Sequence, residues 1–267
     1  CRVERMDDAP WARQLARSAP NSPPWKFPGE IGRRSRPSVR PIGDDDERPD
    51  HIMASSSRWL ARQKVDEYVL RAARDGYRSR AAYKLEQISA RIKPRLLQRG
   101  LVALELGAAP GSWTQVLVKH GIGVVGVDLL PIEPVEGATL MQGDFTDPTV
   151  QKAMLAALPS EDGLCDILLS DVSPNRSGTA SRDDAAITEY AEEGLSIAAR
   201  CLRPGGTFVC KLLDGSDMRS LFARAKPMFT VSGGLVKPKA SRPKSREIYL
   251  VARGFNPDAY EAQRSRW

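Results

Sequence analysis

Apolar positions between residues 60 and 255 follow two alternating periodicities. Residues 65–72 and 82–92 place apolar side chains at helical spacing, which predicts two short helices. Farther along, mainly apolar runs typical of buried strands alternate with helical segments. The predicted strands are 101–106, 124–127, 164–169, 207–212 and 248–252, and the helices lie near 112–119, 147–157, 183–201 and 216–226. This alternation predicts an α/β fold with a mainly parallel sheet and helices on both faces.

The N-terminal segment differs in composition from the rest of the chain. Residues 1–52 contain 8 of the 20 prolines, few aliphatic side chains and an acidic run at 44–47. Such a segment buries little apolar surface, so we predict that residues 1–53 are disordered. It has 10 basic and 9 acidic residues, whereas mitochondrial transit peptides are poor in acidic ones. Because Met53 opens the first folded pattern, the segment is either a genuine extension or sequence upstream of the natural start.

The composition excludes several classes of protein. With 41% hydrophobic and 27% charged residues, the chain is neither fibrous nor wholly disordered, and no apolar run is long enough to cross a bilayer. The cysteines are widely spaced, and three of them lie in apolar runs, so we expect reduced thiols in the core. Since His51 and His120 are the only histidines and there is no Cys-x-x-Cys pair, we expect no metal site.

The charge of the chain points to a polyanionic partner. Forty basic and 33 acidic residues give a formal charge of +7. Nearly all of this excess lies after residue 52, and the basic residues concentrate at 58–80 and 237–246. A basic surface suggests that the partner is an acidic polymer, although either cluster alone is also compatible with a solvated face.

Glycines and aspartates mark the ends of the first three strand-like segments. Residues 105–113, Glu-Leu-Gly-Ala-Ala-Pro-Gly-Ser-Trp, form a glycine-rich turn that lets the backbone approach a ligand, but they match neither a dinucleotide fingerprint nor a phosphate loop. Asp128 ends the second strand, where an acidic side chain takes ribose hydroxyls. Asp144 follows the third and could accept a hydrogen bond from an adenine amino group. Each aspartate could equally be a turn or cap residue, but the series favours a nucleoside site.

Further polar residues follow or interrupt the later strands. Ser170 and Asp171 end one apolar strand and begin a loop that runs to Gly178. Lys211 lies inside another apolar strand. It is either an edge residue whose amine reaches solvent or a desolvated amine able to act as a base near neutral pH. Glu247 opens the last apolar strand. These positions add a candidate acid–base group to the predicted nucleoside site.

Eight short motifs follow one another along the chain. They are Ser55-Ser-Ser-Arg-Trp59, Tyr77-Arg-Ser-Arg-Ala-Ala-Tyr-Lys84-Leu, Leu106-Gly-Ala-Ala-Pro-Gly-Ser-Trp113, Val127-Asp128-Leu-Leu-Pro131, Gln142-Gly-Asp144-Phe145, Ser170-Asp171-Val-Ser-Pro-Asn175, Val209-Cys-Lys211 and Ser245-Arg246-Glu247-Ile-Tyr249. In type and order they resemble the FtsJ/RrmJ (RlmE-type) ribosomal RNA 2′-O-ribose methyltransferases, from about residue 54 to residue 254. The chain departs from that pattern at Ser112, where many relatives have a second glycine, and at 172–173, where Met-Ala is commoner.

The resemblance implies a Rossmann-like methyltransferase fold with a mainly parallel, seven-stranded sheet. It divides the chain into the segment 1–53, an FtsJ-like domain over 54–254 and a C-terminal tail over 255–267. It implies a catalytic tetrad of Lys84, Asp171, Lys211 and Glu247, in which Lys211 removes the proton of a ribose 2′-hydroxyl. The implied methyl donor is S-adenosylmethionine, held by Gly107, Gly111, Trp113, Asp128, Leu129, Asp144, Phe145 and Asp171.

The same resemblance implies the substrate. It would be a uridine in the peptidyl-transferase A-loop of 23S-type large-subunit ribosomal RNA, methylated late in ribosome maturation, within the assembled or assembling subunit. We expect a monomer in the cytoplasm, or in mitochondria if the source is eukaryotic, with no membrane partner. The candidate RNA contacts are Arg58, Arg62, Lys64, Arg78, Arg80, Lys239, Arg242, Lys244 and Arg246. The alternatives are a tRNA 2′-O-methyltransferase and a catalytically silent RNA-binding assembly factor, and the intact tetrad argues against the second.

Overall fold

A computed structural model describes residues 66–173, 179–215, 218–231 and 234–264. Its α-helices are α1 (Glu67–Arg74), α2 (Ala81–Arg91), α3 (Ser112–Lys119), α4 (Pro148–Ala156), α5 (Ala180–Cys201), α6 (Met218–Ala225) and α7 (Pro257–Arg264), with a short 3₁₀ helix at Lys226–Met228. Its strands are β1 (Val102–Leu106), β2 (Gly123–Asp128), β3 (Ala138–Gln142), β4 (Cys165–Ser170), β5 (Leu202–Leu213), β6 (Phe229–Val231), β7 (Leu235–Val236) and β8 (Glu247–Phe255). In the described residues, every strand and helix predicted from the periodicity overlaps an observed element of the same type.

The strands form a single mixed sheet in the order β3-β2-β1-β4-β5-β8-β6, and β7 also pairs with β8. The first five strands in this order are parallel, and β8 runs antiparallel to β5. Seven strands lie on the path from β3 to β6, which is the number expected. The two-residue β7 brings the number of strands in the described residues to eight. The predicted α/β fold with a mainly parallel sheet is confirmed.

Helices cover both faces of the sheet. Since successive residues of a strand point to opposite faces, one strand contributes side chains to the core on each side. On β1, Leu104 and Leu106 pack in a cluster with residues of α4, α5 and α6, whereas Ala103 packs in a second cluster with residues of α1, α2 and α3. Burying one leucine in this way contributes about 1.5–3 kcal/mol. The free cysteines Cys165, Cys201 and Cys210 are buried, as expected of core thiols.

The last segment, expected as a tail, contains α7, and Tyr260 of this helix packs against the first cluster. The sequence pattern does not predict β6 and β7. Strands of three and two residues are too short for an alternating pattern to stand out. None of the helices in the described part of the chain combines the length and the apolar character that a membrane span requires.

Candidate active site

Four charged side chains from different elements meet where the parallel strands end. Lys84 belongs to α2, Asp171 follows β4, Lys211 lies near the end of β5 and Glu247 begins β8. Because β8 is antiparallel to β5, its first residues lie beside the last residues of β5, and Tyr249 pairs with Lys211 in the register. The structure thus brings together the four residues that the resemblance implies.

Two ion pairs form the centre of this cluster. Lys211 Nζ lies 3.1 Å from Asp171 Oδ1 and donates a hydrogen bond of 2.7 Å to the backbone carbonyl oxygen of Asp171. Lys84 Nζ lies 2.8 Å from Glu247 Oε1. Lys211 is only 7% exposed, so its amine does not extend into solvent. Charges buried this deeply are tolerated because each has an opposite charge and hydrogen bonds.

Tyr249 joins the two ion pairs. Its hydroxyl lies 2.8 Å from Asp171 Oδ1 and 2.9 Å from Glu247 Oε1, so it can donate its proton to either carboxylate. Tyr249 is the last residue of the motif that begins at Ser245, and the sequence alone indicated no role for it. The signal was its position two residues after Glu247, since residues i and i+2 of a strand share a face. Ser241, also missed, donates a hydrogen bond of 2.7 Å to Glu247 Oε1.

The electrostatics of the cluster favour the charged forms of Lys84 and Asp171. Burial opposes the charge of Lys84, but the carboxylates of Asp171 and Glu247 outweigh it and raise the pKa of Lys84. Burial likewise opposes ionisation of Asp171, but Lys211, Lys84 and the Tyr249 hydroxyl together lower the pKa of Asp171 below its usual range. Burial and the two carboxylates raise the pKa of Tyr249 well above its ordinary value, so its hydroxyl remains a donor.

The Tyr249 hydroxyl can be tested by Tyr249→Phe, which keeps the buried ring and removes the donor. Because this donor helps to lower the pKa of Asp171, we expect the acid limb of the activity–pH profile to move to higher pH. We also expect kcat to fall about tenfold, as for the loss of a charge-assisted hydrogen bond. Tyr260→Phe, on α7, is the control. An unchanged pH profile in Tyr249→Phe would rule out this role.

The glycine-rich loop between β1 and α3 lies beside this cluster. Gly107 has a φ of 74°, and a Cβ there would lie 2.8 Å from Val172, the residue after Asp171. The close approach of the two loops therefore requires glycine. Asp128 ends β2 and accepts hydrogen bonds from the backbone N–H groups of Ala109 and Leu130, at 2.9 and 2.8 Å. A carboxylate has about four lone-pair sites, so Asp128 can still accept two hydroxyl groups of a ligand.

The other residues expected at the donor site differ in how they could act. The Trp113 ring is buried, and its Nε1 donates a hydrogen bond of 2.7 Å to the Ala81 carbonyl, so the ring is held inside the protein. Asp144 is exposed and accepts from the backbone and hydroxyl of Thr146. Leu129 is 60% exposed, whereas Phe145 is 6% exposed and packs on Tyr190. Leu129 therefore offers more apolar surface to a ligand than Phe145 does.

Among the predicted RNA contacts that the structure describes, the arginines bind other protein groups and the lysines are exposed. Arg58, Arg62 and Lys64 and the loop residues 174–178 lie outside the described residues. Lys239 and Lys244 are exposed on the loop between β7 and β8. The arginines contact protein groups: Arg78 binds backbone carbonyls, Arg80 binds Asp66 and the Ala240 carbonyl, Arg242 binds Asp66, and Arg246 binds Asp184 and the Asp214 carbonyl. Among the described members of this set, Lys239 and Lys244 are therefore the cations most available to a partner.

Glu105 is a buried acid to which the sequence analysis gave no role. It lies on β1, is 1% exposed and accepts a hydrogen bond of 2.7 Å from the Thr114 hydroxyl. Burial raises the pKa of Glu105 to about 8, even though the Thr114 hydrogen bond lowers it; the charges of Asp171 and Asp128 raise it further. Glu105 is therefore mostly protonated at neutral pH.

The strand order and the lysine–carboxylate cluster beside a glycine-rich loop define a Rossmann-like methyltransferase. A family model of FtsJ-like methyltransferases matches residues 77–255. The chain belongs to this family.

Similar proteins carry names that agree with this family. A protein of Gluconobacter oxydans named ribosomal RNA large subunit methyltransferase E is 44% identical over 205 residues, which cover 76% of this chain and 74% of that protein. One with the same name in Acidiphilium cryptum is 42% identical over 230 residues, covering 86% and 97%. A crystal structure described as a ribosomal RNA methyltransferase of Plasmodium falciparum is 28% identical, has a TM-score of 0.59 and covers 67% of this chain and 98% of its own.

Proposed function

We propose that this protein transfers a methyl group from S-adenosylmethionine to the 2′-hydroxyl of a uridine in large-subunit ribosomal RNA. The observation that carries the proposal is the buried cluster of Lys84, Asp171, Lys211 and Glu247 beside the loop that contains Gly107 and Gly111. The names of the relatives support large-subunit ribosomal RNA as the class of substrate. We assign the activity to residues 54–254 of a monomer in the cytoplasm, as the bacterial relatives suggest.

The groups at the carboxyl edge of the sheet fit an adenosyl ligand with a charged amino-acid part. The first backbone N–H groups of α3 have no acceptor within the helix and suit a carboxylate. Asp128 suits ribose hydroxyls, Asp144 suits the adenine amino group, and the exposed Leu129 suits an apolar ring face. When bound, S-adenosylmethionine supplies a methyl group made electrophilic by its sulfonium.

Lys211 is the proposed base for the 2′-hydroxyl proton. A neutral amine has two N–H groups and one lone pair. The carbonyl oxygen and Oδ1 of Asp171 can take the two N–H groups, which turns the lone pair toward the incoming hydroxyl. Nζ accepts the hydroxyl proton as the 2′ oxygen forms its bond to the methyl carbon, whose bond to sulfur breaks. Removing this proton is what makes the hydroxyl a useful nucleophile.

Lys84 and Glu247 support this transfer without exchanging protons. The raised pKa of Lys84 keeps its ammonium charged, so it stabilises negative charge that develops on the 2′ oxygen. Glu247 Oε1 lies 2.8 Å from Lys84 Nζ and also accepts a hydrogen bond from the Ser241 hydroxyl. These contacts orient the ammonium before the substrate binds, so little reorganisation is needed during the reaction.

The loop between β7 and β8 is a proposed RNA contact close to the cluster. Lys239 and Lys244 are exposed on this loop, and its backbone at Ala240 is fixed by Arg80 and Gln87. Exposed lysines on a fixed loop suit phosphate groups, which position an RNA without specifying its sequence. The loop leads directly into Glu247, so RNA held there lies close to the four charged residues.

The role of Asp128 in donor binding predicts a specific loss. Asp128→Ala should weaken binding of S-adenosylmethionine at least about tenfold in calorimetry, because both ribose hydroxyls lose their acceptor. Asp128→Asn keeps one acceptor oxygen for the loop backbone and should bind more tightly than Asp128→Ala but less tightly than wild type. Glu161→Ala, an exposed acid between α4 and β4, is the control. Unchanged affinity in Asp128→Ala would refute the role.

The function itself is tested by transfer of labelled methyl groups. Undermethylated large ribosomal subunits, their deproteinised RNA and bulk tRNA would each be incubated with the protein and labelled S-adenosylmethionine. We expect label in the ribosomal substrate, recovered as 2′-O-methyluridine after nuclease digestion. Label in tRNA alone would replace the proposal with a tRNA 2′-O-methyltransferase. Donor binding without label in any RNA would favour an assembly factor.

A further inference from the structure

Arg78 makes an unusual set of contacts with two loops. Its Nη1 donates hydrogen bonds to the backbone carbonyls of Pro110, at 2.8 Å, and Glu133, at 2.6 Å, and its Nη2 donates to the carbonyl of Pro134 at 2.8 Å. Pro110 lies in the loop after β1, and Glu133 and Pro134 lie in the loop after β2. One guanidinium therefore ties two loops together.

These two loops hold the groups proposed to bind the methyl donor. The loop after β1 contains Gly107 and Gly111, and the loop after β2 begins at Leu129, next to Asp128 at the end of the strand. The guanidinium lies close against the first loop, because a Cβ at Gly111 would lie 2.5 Å from Arg78 Nη1. The guanidinium thus occupies the place where a side chain at position 111 would lie.

The backbone around Arg78 is also joined to the helix that follows the glycine-rich loop. The Arg78 backbone N–H donates to Gln115 Oε1 at 2.9 Å, and Gln115 Nε2 donates to the carbonyl of Gly76 at 3.1 Å. Ser79 Oγ lies 2.7 Å from Ser112 Oγ, within hydrogen-bond distance. The backbone at Arg78 is therefore fixed to α3. This fixed backbone positions the Arg78 side chain to contact the two loops.

We propose that Arg78 is a positioning residue of the methyl-donor site, which holds the loops after β1 and β2 at the separation that the donor requires. This inference rests on the proposed use of S-adenosylmethionine, and it replaces the expectation that Arg78 binds RNA. The contacts need a planar group with several donors in fixed directions, which arginine has and lysine lacks. A site that is preorganised in this way binds its ligand more tightly because less ordering is needed on binding.

The variant Arg78→Lys separates the two roles, because it keeps the positive charge but cannot reach three carbonyls with a rigid fork. Arg78→Met removes the charge as well, and Arg95→Met, on an exposed arginine after α2, is the matched control. Calorimetry would measure binding of S-adenosylmethionine and S-adenosylhomocysteine without RNA, and filter binding would measure affinity for large-subunit RNA at several salt concentrations. Thermal unfolding would confirm that each variant is folded.

We expect both Arg78 variants to bind the two adenosyl compounds about tenfold more weakly than wild type, whereas Arg95→Met binds them normally. We also expect the salt dependence of RNA binding to be unchanged in Arg78→Met. Normal donor affinity in Arg78→Lys and Arg78→Met, with weaker RNA binding in Arg78→Met, would overturn the inference and restore Arg78 as an RNA contact. If the wild-type protein itself binds neither adenosyl compound, it is the proposed function that fails.

Discussion

Replacing Lys211 should lower kcat about a thousandfold, the middle of the range for loss of a general base. Lys211→Met removes the amine but leaves Asp171 without its nearest cation, which by itself raises the pKa of Asp171. Lys211→Arg is therefore the sharper variant. It keeps a positive charge beside Asp171, but a guanidinium does not give up its proton in a protein and so cannot accept one from the substrate.

The measurement is single-turnover methyl transfer at saturating donor and RNA, with donor affinity measured separately by calorimetry. We expect both Lys211 variants to be nearly inactive while their affinity for S-adenosylmethionine changes by less than about threefold, because Nζ is assigned to the hydroxyl proton. Lys152→Arg, on the exposed surface of α4, is the control. A Lys211→Arg protein with normal turnover would show that charge alone is needed and would remove the base from the mechanism.

Glu105→Gln should stabilise the protein at alkaline pH. The pKa of Glu105 is about 8 in the folded protein, against an ordinary value of 4.5. Between these values the folded state binds a proton that the unfolded state lacks, so the stability of the wild type falls as pH rises through this window. The upper limit of this loss is about 5 kcal/mol, at about 1.4 kcal/mol for each pH unit. The glutamine side chain of the variant does not titrate and keeps an acceptor for the Thr114 hydroxyl.

The check is urea unfolding of both proteins at pH 5.5, 7 and 8.5. The contributions of the other titrating groups cancel in the difference between the free energies of unfolding of variant and wild type. This difference should grow by roughly 2–4 kcal/mol from the lowest to the highest pH. Glu161→Gln is the exposed control and should follow the wild type. Parallel curves for Glu105→Gln and wild type would mean that Glu105 is already ionised in the folded protein.

The periodicity of the chain was enough to place most elements of the fold. Runs such as 207–212 are apolar because both faces of a central parallel strand are buried, so these strands stand out without any partner in view. The short β6 and β7 were missed because their pairing with β8 stabilises them, and no local pattern does. The helix α7 was expected as a tail. Its residue Tyr260 packs against core residues that are distant in sequence, and no local pattern records such a contact.

The candidate site likewise contains residues that the sequence predicts and contacts that only the folded chain reveals. Residue type and motif order were sufficient for Lys84, Asp171, Lys211 and Glu247, because each side chain carries its chemistry wherever the chain places it. The contacts of Arg78 were not readable in this way. A basic side chain in a basic segment suggests a phosphate partner, and only the folded chain brings the carbonyls of Pro110 and Glu133 within 2.8 Å of it.

Local chemistry and long-range geometry therefore carry different information. The alternation of strands and helices and the glycine-rich turn follow from neighbouring residues, whose spacing sets which side chains share a face. The hydrogen bonds of Tyr249 to Asp171 and the raised pKa of Glu105 depend on burial and on residues far apart in the sequence. Both arise because the sheet brings distant strand ends together and removes water from them, which no local pattern records.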